Sequence, residues 1–379
     1  MKLLLVFILI LSNVNAMKAK VSDTILNLQW DNNVQGTLIL KYYKGKFQFK
    51  EQSSTHYLYQ TNSIAISLKE TNYNFVYDNC KIEFNHLKYK VHKTYKTYGL
   101  GRGKLQTPIS ISSDEFDHLF LVDISSDSIF KYSRNFQFIK KFGSFNWDTN
   151  DSYDADFSSI DEGSFDHPTS ITYGPRLGYI VTDSRNNRLV ELDMDGNFKN
   201  EIATRQRLDE PNKVIVNQFK EILVLDSQND RLLILNSFGQ FLYSIGGFGS
   251  DSQKLNNPSD FTIDSESNIY ILDHGNNALK KYSRIGKFIT SIKVSDKANS
   301  IYCDPSDYLY LFLENTPVVT YSKDLISFFN LFDTDEHTKN IISTTSTSNH
   351  HLYMLNEKSS LITEWVPRFF SQTKQVSIK

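Results

Sequence analysis

Cysteine is nearly absent from this chain, with only Cys80 and Cys303 in 379 residues. That excludes a small fold stapled by a disulfide framework and leaves at most one bridge, Cys80–Cys303, whose formation the sequence does not decide. Eight prolines and sixteen glycines are too few for a collagen-like or low-complexity chain. Past the N-terminus no stretch approaches the ~18 apolar residues of a membrane-spanning helix. The net charge of -2 carries no basic excess, and nucleic acid is not an expected partner. No Gly-x-Ser-x-Gly elbow occurs, nor a Gly-rich loop ending in Lys-Ser/Thr. Gly99-Leu-Gly101-Arg-Gly103 opens no helix and reads as a linker, not a nucleotide loop.

What is present begins with a leader. Lys2, the apolar run Leu3–Leu11 and the small-residue end Val14-Asn15-Ala16 predict a secretory signal peptide over 1–16. A secreted or lumenal protein is therefore expected. Hydrophobic residues make up 40% and aromatics 13%, enough for a sizeable core. Charge is divided unevenly. Residues 17–104 hold 14 Lys+Arg against 6 Asp+Glu, and residues 105–379 hold 26 against 37. The two parts are expected to attract each other or an outside partner.

Three segments repeat. Tyr179-Ile-Val-Thr-Asp183, Ile222-Leu-Val-Leu-Asp226 and Ile269-Tyr-Ile-Leu-Asp273 each end in an aspartate, at spacings of 43 and 47 residues. Asn186, Asn229 and Asn276 follow three residues on, and Gly196, Gly239 and Gly286 mark a later hairpin. Pro168, Pro211 and Pro258 precede the units. Asp-x-x-Asn builds a turn because both side chains can bond nearby backbone N–H groups, and glycine supplies the positive φ of the hairpin. Four strands per ~45 residues is the size of a propeller blade.

These motifs, with the Gly-rich link Ile245-Gly-Gly-Phe-Gly249, resemble the NHL repeat family. The resemblance is plain over 165–290 and fainter at Pro108 and Leu121-Val-Asp123. It decays at Leu309-Tyr-Leu-Phe-Leu-Glu314 and Leu352-Tyr-Met-Leu-Asn356. It implies an all-β, six-bladed β-propeller over 98–370, followed by a tail over 371–379. Residues 17–97 read as a basic β-rich module that either stands before the ring or contributes a blade or closing strand to it.

The recurring Asp123, Asp183, Asp226 and Asp273 read as turn builders, with Asn186, Asn229 and Asn276 as partners. Two residues past the prolines stand Ser110, Ser170, Lys213 and Asp260, candidates to line the central channel. The family also includes amidating lyases that hold zinc with histidines from successive blades, but none of the nine histidines here recurs in that register. His350-His351, adjacent on an expected strand, would point to opposite faces and chelate poorly. No cofactor is expected, although a lactonase-like calcium site of Asp and Asn is not excluded. The acidic insertion between the first two blades is the most distinctive segment. It carries Trp147, Asp148, Asp151, Tyr153, Asp154, Asp156, Asp161 and Glu162, and the glycosylation sequon at Asn150. From Phe142 to Pro175 there is no Lys or Arg. Such a loop suits docking of a protein or peptide with a basic surface. The reading is a secreted binding scaffold, with a metal-dependent hydrolase or lyase as the alternative.

Overall fold

A computed structural model describes residues 89–99, 101–143, 164–202, 205–325, 332 and 337–367 with their side chains. The leader, most of the basic module, Cys80 and the acidic insertion with Asn150 lie outside the described residues. The chain divides into two compact units, one of residues 91–318 and 334–366, the other of 1–90, 319–333 and 367–379.

The first unit carries an all-β, six-bladed propeller. The described residues contain no α-helix, only the short 3-10 turns Ser227–Asn229, His274–Asn276 and Glu336–Thr338. Blade three is representative, with strands Pro211–Val216, Ile222–Asp226, Arg231–Leu235 and Phe241–Gly246 in antiparallel order. Its second strand is buried at every position, whereas half of its outer strand is exposed and one residue buried. The apolar runs read as buried strands form the layers between blades; Leu223, Leu225, Ile234, Phe261 and Ile271, for example, share one cluster. At ~25 cal/mol per Å² of apolar surface, such layers dominate the stability of the ring.

The innermost strands begin at Pro108, Pro168, Pro211, Pro258, Ala298 and Ile341, and each has a register shift within its first three residues. A ladder break at a strand's first residue is where proline's missing N–H does least harm. Blade six consists of Ile341–Ser346, Leu352–Asn356 and Leu361–Gln372, and is followed in sheet order by Cys80–Lys96. Tyr95 Oη donates to Glu364 Oε2 at 2.8 Å and Thr97 Oγ1 to the Ser360 carbonyl at 2.6 Å. The unit that carries the ring includes residues 91–97, and the strand Cys80–Lys96, upstream of blade one, follows blade six in sheet order. Blade six also meets blade one along their innermost strands, where Ile111 N donates to Ser343 Oγ at 3.0 Å.

Successive turns of an antiparallel meander lie at alternate ends. Turns between first and second strands, and between third and fourth, therefore share one face of the ring. The Asp-bearing turns and the links between blades occupy the other.

Candidate functional site

On the link face, the repeated aspartates are anchors. Asp123, Asp183, Asp226 and Asp273 are each 0% exposed. Each accepts a hydrogen bond from the backbone N–H seventeen residues earlier, at Gln106, Asp166, Asp209 and Asn256, in the link that enters its blade. Asn186, Asn229 and Asn276 donate to the second carboxylate oxygen at 2.8–2.9 Å. A cation completes three of the four sites: Arg188 Nε at 2.7 Å from Asp183, Arg231 Nε at 2.7 Å from Asp226 and Lys280 Nζ at 2.8 Å from Asp273. A buried carboxylate needs such compensation, since burial alone would drive it to its neutral form. One turn further on, Asp127, Asn187 and Asp230 take left-handed φ values of 45–54° and cap the N–H of His167, Glu210 and Asn257 in the next blade. The turn thus ties its own link with one residue and the following blade with another.

The residues two past the strand starts tie innermost strands together. Ser170 Oγ accepts from Val214 N at 3.4 Å and Asp260 from Ile301 N at 2.9 Å. Lys213 Nζ donates to Asp260 Oδ1 at 2.6 Å, across adjacent blades. Ser110 is half-buried at the equivalent position of blade one. Cys303 is a buried free thiol, and burial, with the charges of Asp304, Asp307 and Asp264 adding to it, pushes its pKa up. Among the described residues no group of three or more His, Cys, Asp or Glu side chains is placed to hold a metal ion. None of the described helices is long and apolar enough to cross a membrane.

The opposite face carries two imidazole–carboxylate pairs. His118 Nδ1 lies 2.9 Å from Asp114 Oδ2, but Asp114 also accepts from Phe116 N and His118 N. Asn217, Asp264 and Asp304 make the same backbone bonds in other blades, which marks Asp114 as a turn builder. His350 and His351 precede the strand Leu352–Asn356, in the turn and not on the strand as expected, because His350 adopts a left-handed φ of 61°. His351 Nδ1 pairs with Glu364 Oε1 at 2.8 Å, and Tyr353 Oη donates to the same oxygen at 3.0 Å. Burial opposes ionisation of Glu364, yet the hydrogen bonds from His351, Tyr95 and Tyr353 outweigh it and hold the carboxyl below the ordinary glutamate range. A depressed folded-state pKa adds stability above the unfolded value of ~4.3, and that stability is lost as pH falls through the folded value. Glu364→Gln is therefore expected to flatten the acid limb of the stability profile below about pH 5. Thermal melts of both proteins across that range check it.

The same face exposes large apolar side chains in the turns of consecutive blades. Phe116, Leu177 and Phe219 occupy the first-to-second-strand turns of blades one, two and three, and are 56%, 69% and 53% exposed. Phe238 and Ile285 add 69% and 70% from the third-to-fourth-strand turns of blades three and four. Two arginines sit among them. Arg284 lies 4.1 Å from the centroid of the Phe219 ring and Arg176 5.8 Å from that of Phe238. Both are held in place by carboxylates of the propeller, Arg284 by Glu221 at 2.7 Å and Arg176 by Glu191. Single exposed apolar residues are ordinary; here five are spread over four adjacent blades on one face. The sequence reading missed this row. Its only trace there is one bulky apolar residue inside each otherwise polar turn, such as Asp114-Glu-Phe116 and Asn217-Gln-Phe219.

Comparison with known proteins gives the architecture. A family model described as a 6-bladed beta-propeller matches residues 206–370. No curated protein matches the chain. Among solved structures, a selenomethionine-substituted virginiamycin B lyase from Staphylococcus aureus is 10% identical with a TM-score of 0.51, over 96% of this chain and 99% of that one. A catalytically inactive variant of that lyase, solved with Quinupristin, is also 10% identical with a TM-score of 0.51, over 92% and 99%. At this identity the likeness is one of fold, and the chain is a six-bladed β-propeller.

Proposed function

We propose that this chain is a secreted, NHL-type recognition propeller whose face of first-to-second and third-to-fourth strand turns binds a protein or peptide. The supporting observation is the row Phe116, Leu177, Phe219, Phe238 and Ile285 on that face, interleaved with pinned arginines. Aromatic residues and arginine on a rigid frame are the side chains that dominate interface energetics. Ser170, Lys213 and Asp260 on the innermost strands are engaged in ties between blades, which suits a scaffold. The likeness to virginiamycin B lyase carries no activity at 10% identity, and a metal-dependent lyase or hydrolase reading is tested by metal analysis of the purified protein.

Peptides selected from a display library on the purified chain are expected to bind through this row. Changing Phe116, Leu177 and Phe219 together to Ser is expected to weaken them by at least about 2 kcal/mol, some thirtyfold, with little change in melting temperature. Selected peptides that bind the triple variant unchanged would refute the reading.

The acidic insertion is proposed as a second docking element, for a basic partner. Deleting 146–161 is expected to leave the ring folded, since lengthening or shortening a surface loop changes closure entropy little. Capture of a Lys/Arg-rich peptide should fall, and in the intact protein that capture should weaken as salt rises above the ~8 Å Debye length regime of physiological buffer. Unchanged capture by the deletion variant removes the loop from the functional account.

A further inference from the structure

The seam at blade six brings together two histidines from opposite ends of the chain. His92 stands on the strand Cys80–Lys96, and His351 in the turn before Leu352–Asn356. Their ring centroids are 6.5 Å apart, with the planes tilted by 58°. The ring that meets His351 is therefore His92, whereas the sequence presents His350 as its neighbour.

The two rings differ in freedom. His351 is fixed, because its Nδ1 lies 2.8 Å from Glu364 Oε1. Tyr353 Oη and Tyr95 Oη donate to the same carboxylate at 3.0 and 2.8 Å. An ionised carboxylate only accepts, so Nδ1 carries the proton and Nε2 keeps its lone pair. Among the described residues Nε2 has no hydrogen-bond partner. His92 is exposed, and among the described residues its ring meets only His351.

An imidazole whose second nitrogen is held by a carboxylate is the arrangement that orients histidine toward a metal ion and raises its basicity. Both oxygens of Glu364 are taken by three donors, so its place is behind His351 and not on a metal. A tetrahedral ion with ~2.0–2.1 Å bonds to both rings holds their centroids roughly 5–6 Å apart, so a shift of about 1 Å by the exposed His92 ring suffices. Of the cations nearby, Arg134 is paired with Asp117 at 3.3 Å, and Lys93 lies over the Tyr95 ring at 4.7 Å.

We propose that His92 and His351 bind a divalent transition-metal ion of the zinc class, with water in its remaining positions and Glu364 as a positioning residue. Imidazole suits Zn²⁺, Cu²⁺ and Ni²⁺, whereas Mg²⁺ and Ca²⁺ take oxygen ligands. The site has two protein ligands, in keeping with the lack of any group of three among the described residues. A bound ion would join the strand upstream of blade one to blade six, and so favours the closed ring by mass action. The proposal rests on none of the apolar residues of blades one to four.

The test is calorimetric titration of the full chain with Zn²⁺ and, separately, with Mg²⁺. Zn²⁺ is expected to bind with a Kd below about 1 mM and to raise the melting temperature, and Mg²⁺ to bind at least about tenfold more weakly. His92→Ala and His351→Ala are each expected to weaken Zn²⁺ by at least about tenfold and to remove the rise in melting temperature. Glu364→Gln keeps an acceptor oxygen but not the charge, and is expected to weaken Zn²⁺ by about tenfold, the lower end for a lost orienting partner. Electron paramagnetic resonance of the Cu²⁺-loaded chain is expected to show coupling to two nitrogens, and to one in His92→Ala. His92 is exposed, so its variant decides the matter should His351→Ala not fold. No Zn²⁺ binding up to about 1 mM overturns the proposal. So does unchanged binding in His92→Ala, or Mg²⁺ binding as tight as that of Zn²⁺.

Discussion

Asp226→Ala is expected to lower the stability of the propeller by about 3–5 kcal/mol, the range for removing one partner of a buried ion pair. The carboxylate is fully buried and accepts from three groups: Asp209 N at 2.7 Å, Asn229 Nδ2 at 2.9 Å and Arg231 Nε at 2.7 Å. Alanine leaves the Asp209 amide without its acceptor, which costs about 1–3 kcal/mol, and leaves the Arg231 guanidinium without its carboxylate. Arg231 retains only the Arg207 carbonyl as a partner in that turn. Equilibrium urea unfolding measures the loss. Asp226→Asn separates the parts, since it keeps an acceptor oxygen while removing the charge, and should fall between alanine and the unaltered chain. A change below about 0.5 kcal/mol for alanine, the scale of a neutral surface substitution, would show that the anchor is dispensable.

Gly246→Ala is the second large effect expected. Gly246 ends the outer strand of blade three with φ +102°, a region closed to residues with a Cβ. A Cβ there would lie 2.7 Å from the Asp230 carbonyl oxygen and 2.6 Å from Leu255 Cδ1. Leu255 has no exposed surface, so it cannot swing aside without opening the core between blades three and four. Backbone strain of ~1–3 kcal/mol and a comparable overpacking cost act together, for an expected loss of about 3 kcal/mol. Gly247, the next residue in the link, has only the flexible Lys254 Nζ near its Cβ direction, at 3.5 Å. Its alanine variant carries the backbone strain alone and should lose roughly half as much. Equal losses at the two glycines would mean that packing against Leu255 contributes nothing.

The parts of this fold that were legible in sequence are those in which one unit repeats a local chemical need. The Asp-x-x-Asn turn and the hairpin glycine recur because each blade solves the same backbone problem, and three clear copies sufficed to give the architecture. The cations beside the aspartates were partly visible as Arg188 and Arg231, but blade four shifts its cation by two positions, and a search in fixed register does not find Lys280. The strand Cys80–Lys96 could not be assigned to blade six, because an outer strand bears no motif and the repeat units from Pro108 onward, the decayed ones included, already numbered six. The apolar row was hidden for the opposite reason. Repeat alignment rewards what is shared, whereas Phe116, Leu177 and Phe219 are surface choices that differ in type and sit in turns of differing composition.

The pairing of Tyr95 with Glu364 joins residues 269 apart in the chain, and that of Thr97 with Ser360 residues 263 apart. For a protein made from its N-terminus on a ribosome, this means the circle has no latch until almost the whole polypeptide has emerged. Five blades' worth of nascent chain must wait with an unsatisfied strand edge at each end, the state in which β proteins are most open to mispairing. Closing so long a span costs little more entropy than closing one half as long, because the penalty grows only with the logarithm of length. The delay is thus one of timing more than of energy. A message truncated shortly before Leu361 would yield a ring held only by its innermost strands, as at Ile111 and Ser343, without the outer fastening, although nearly all of its blades were already encoded.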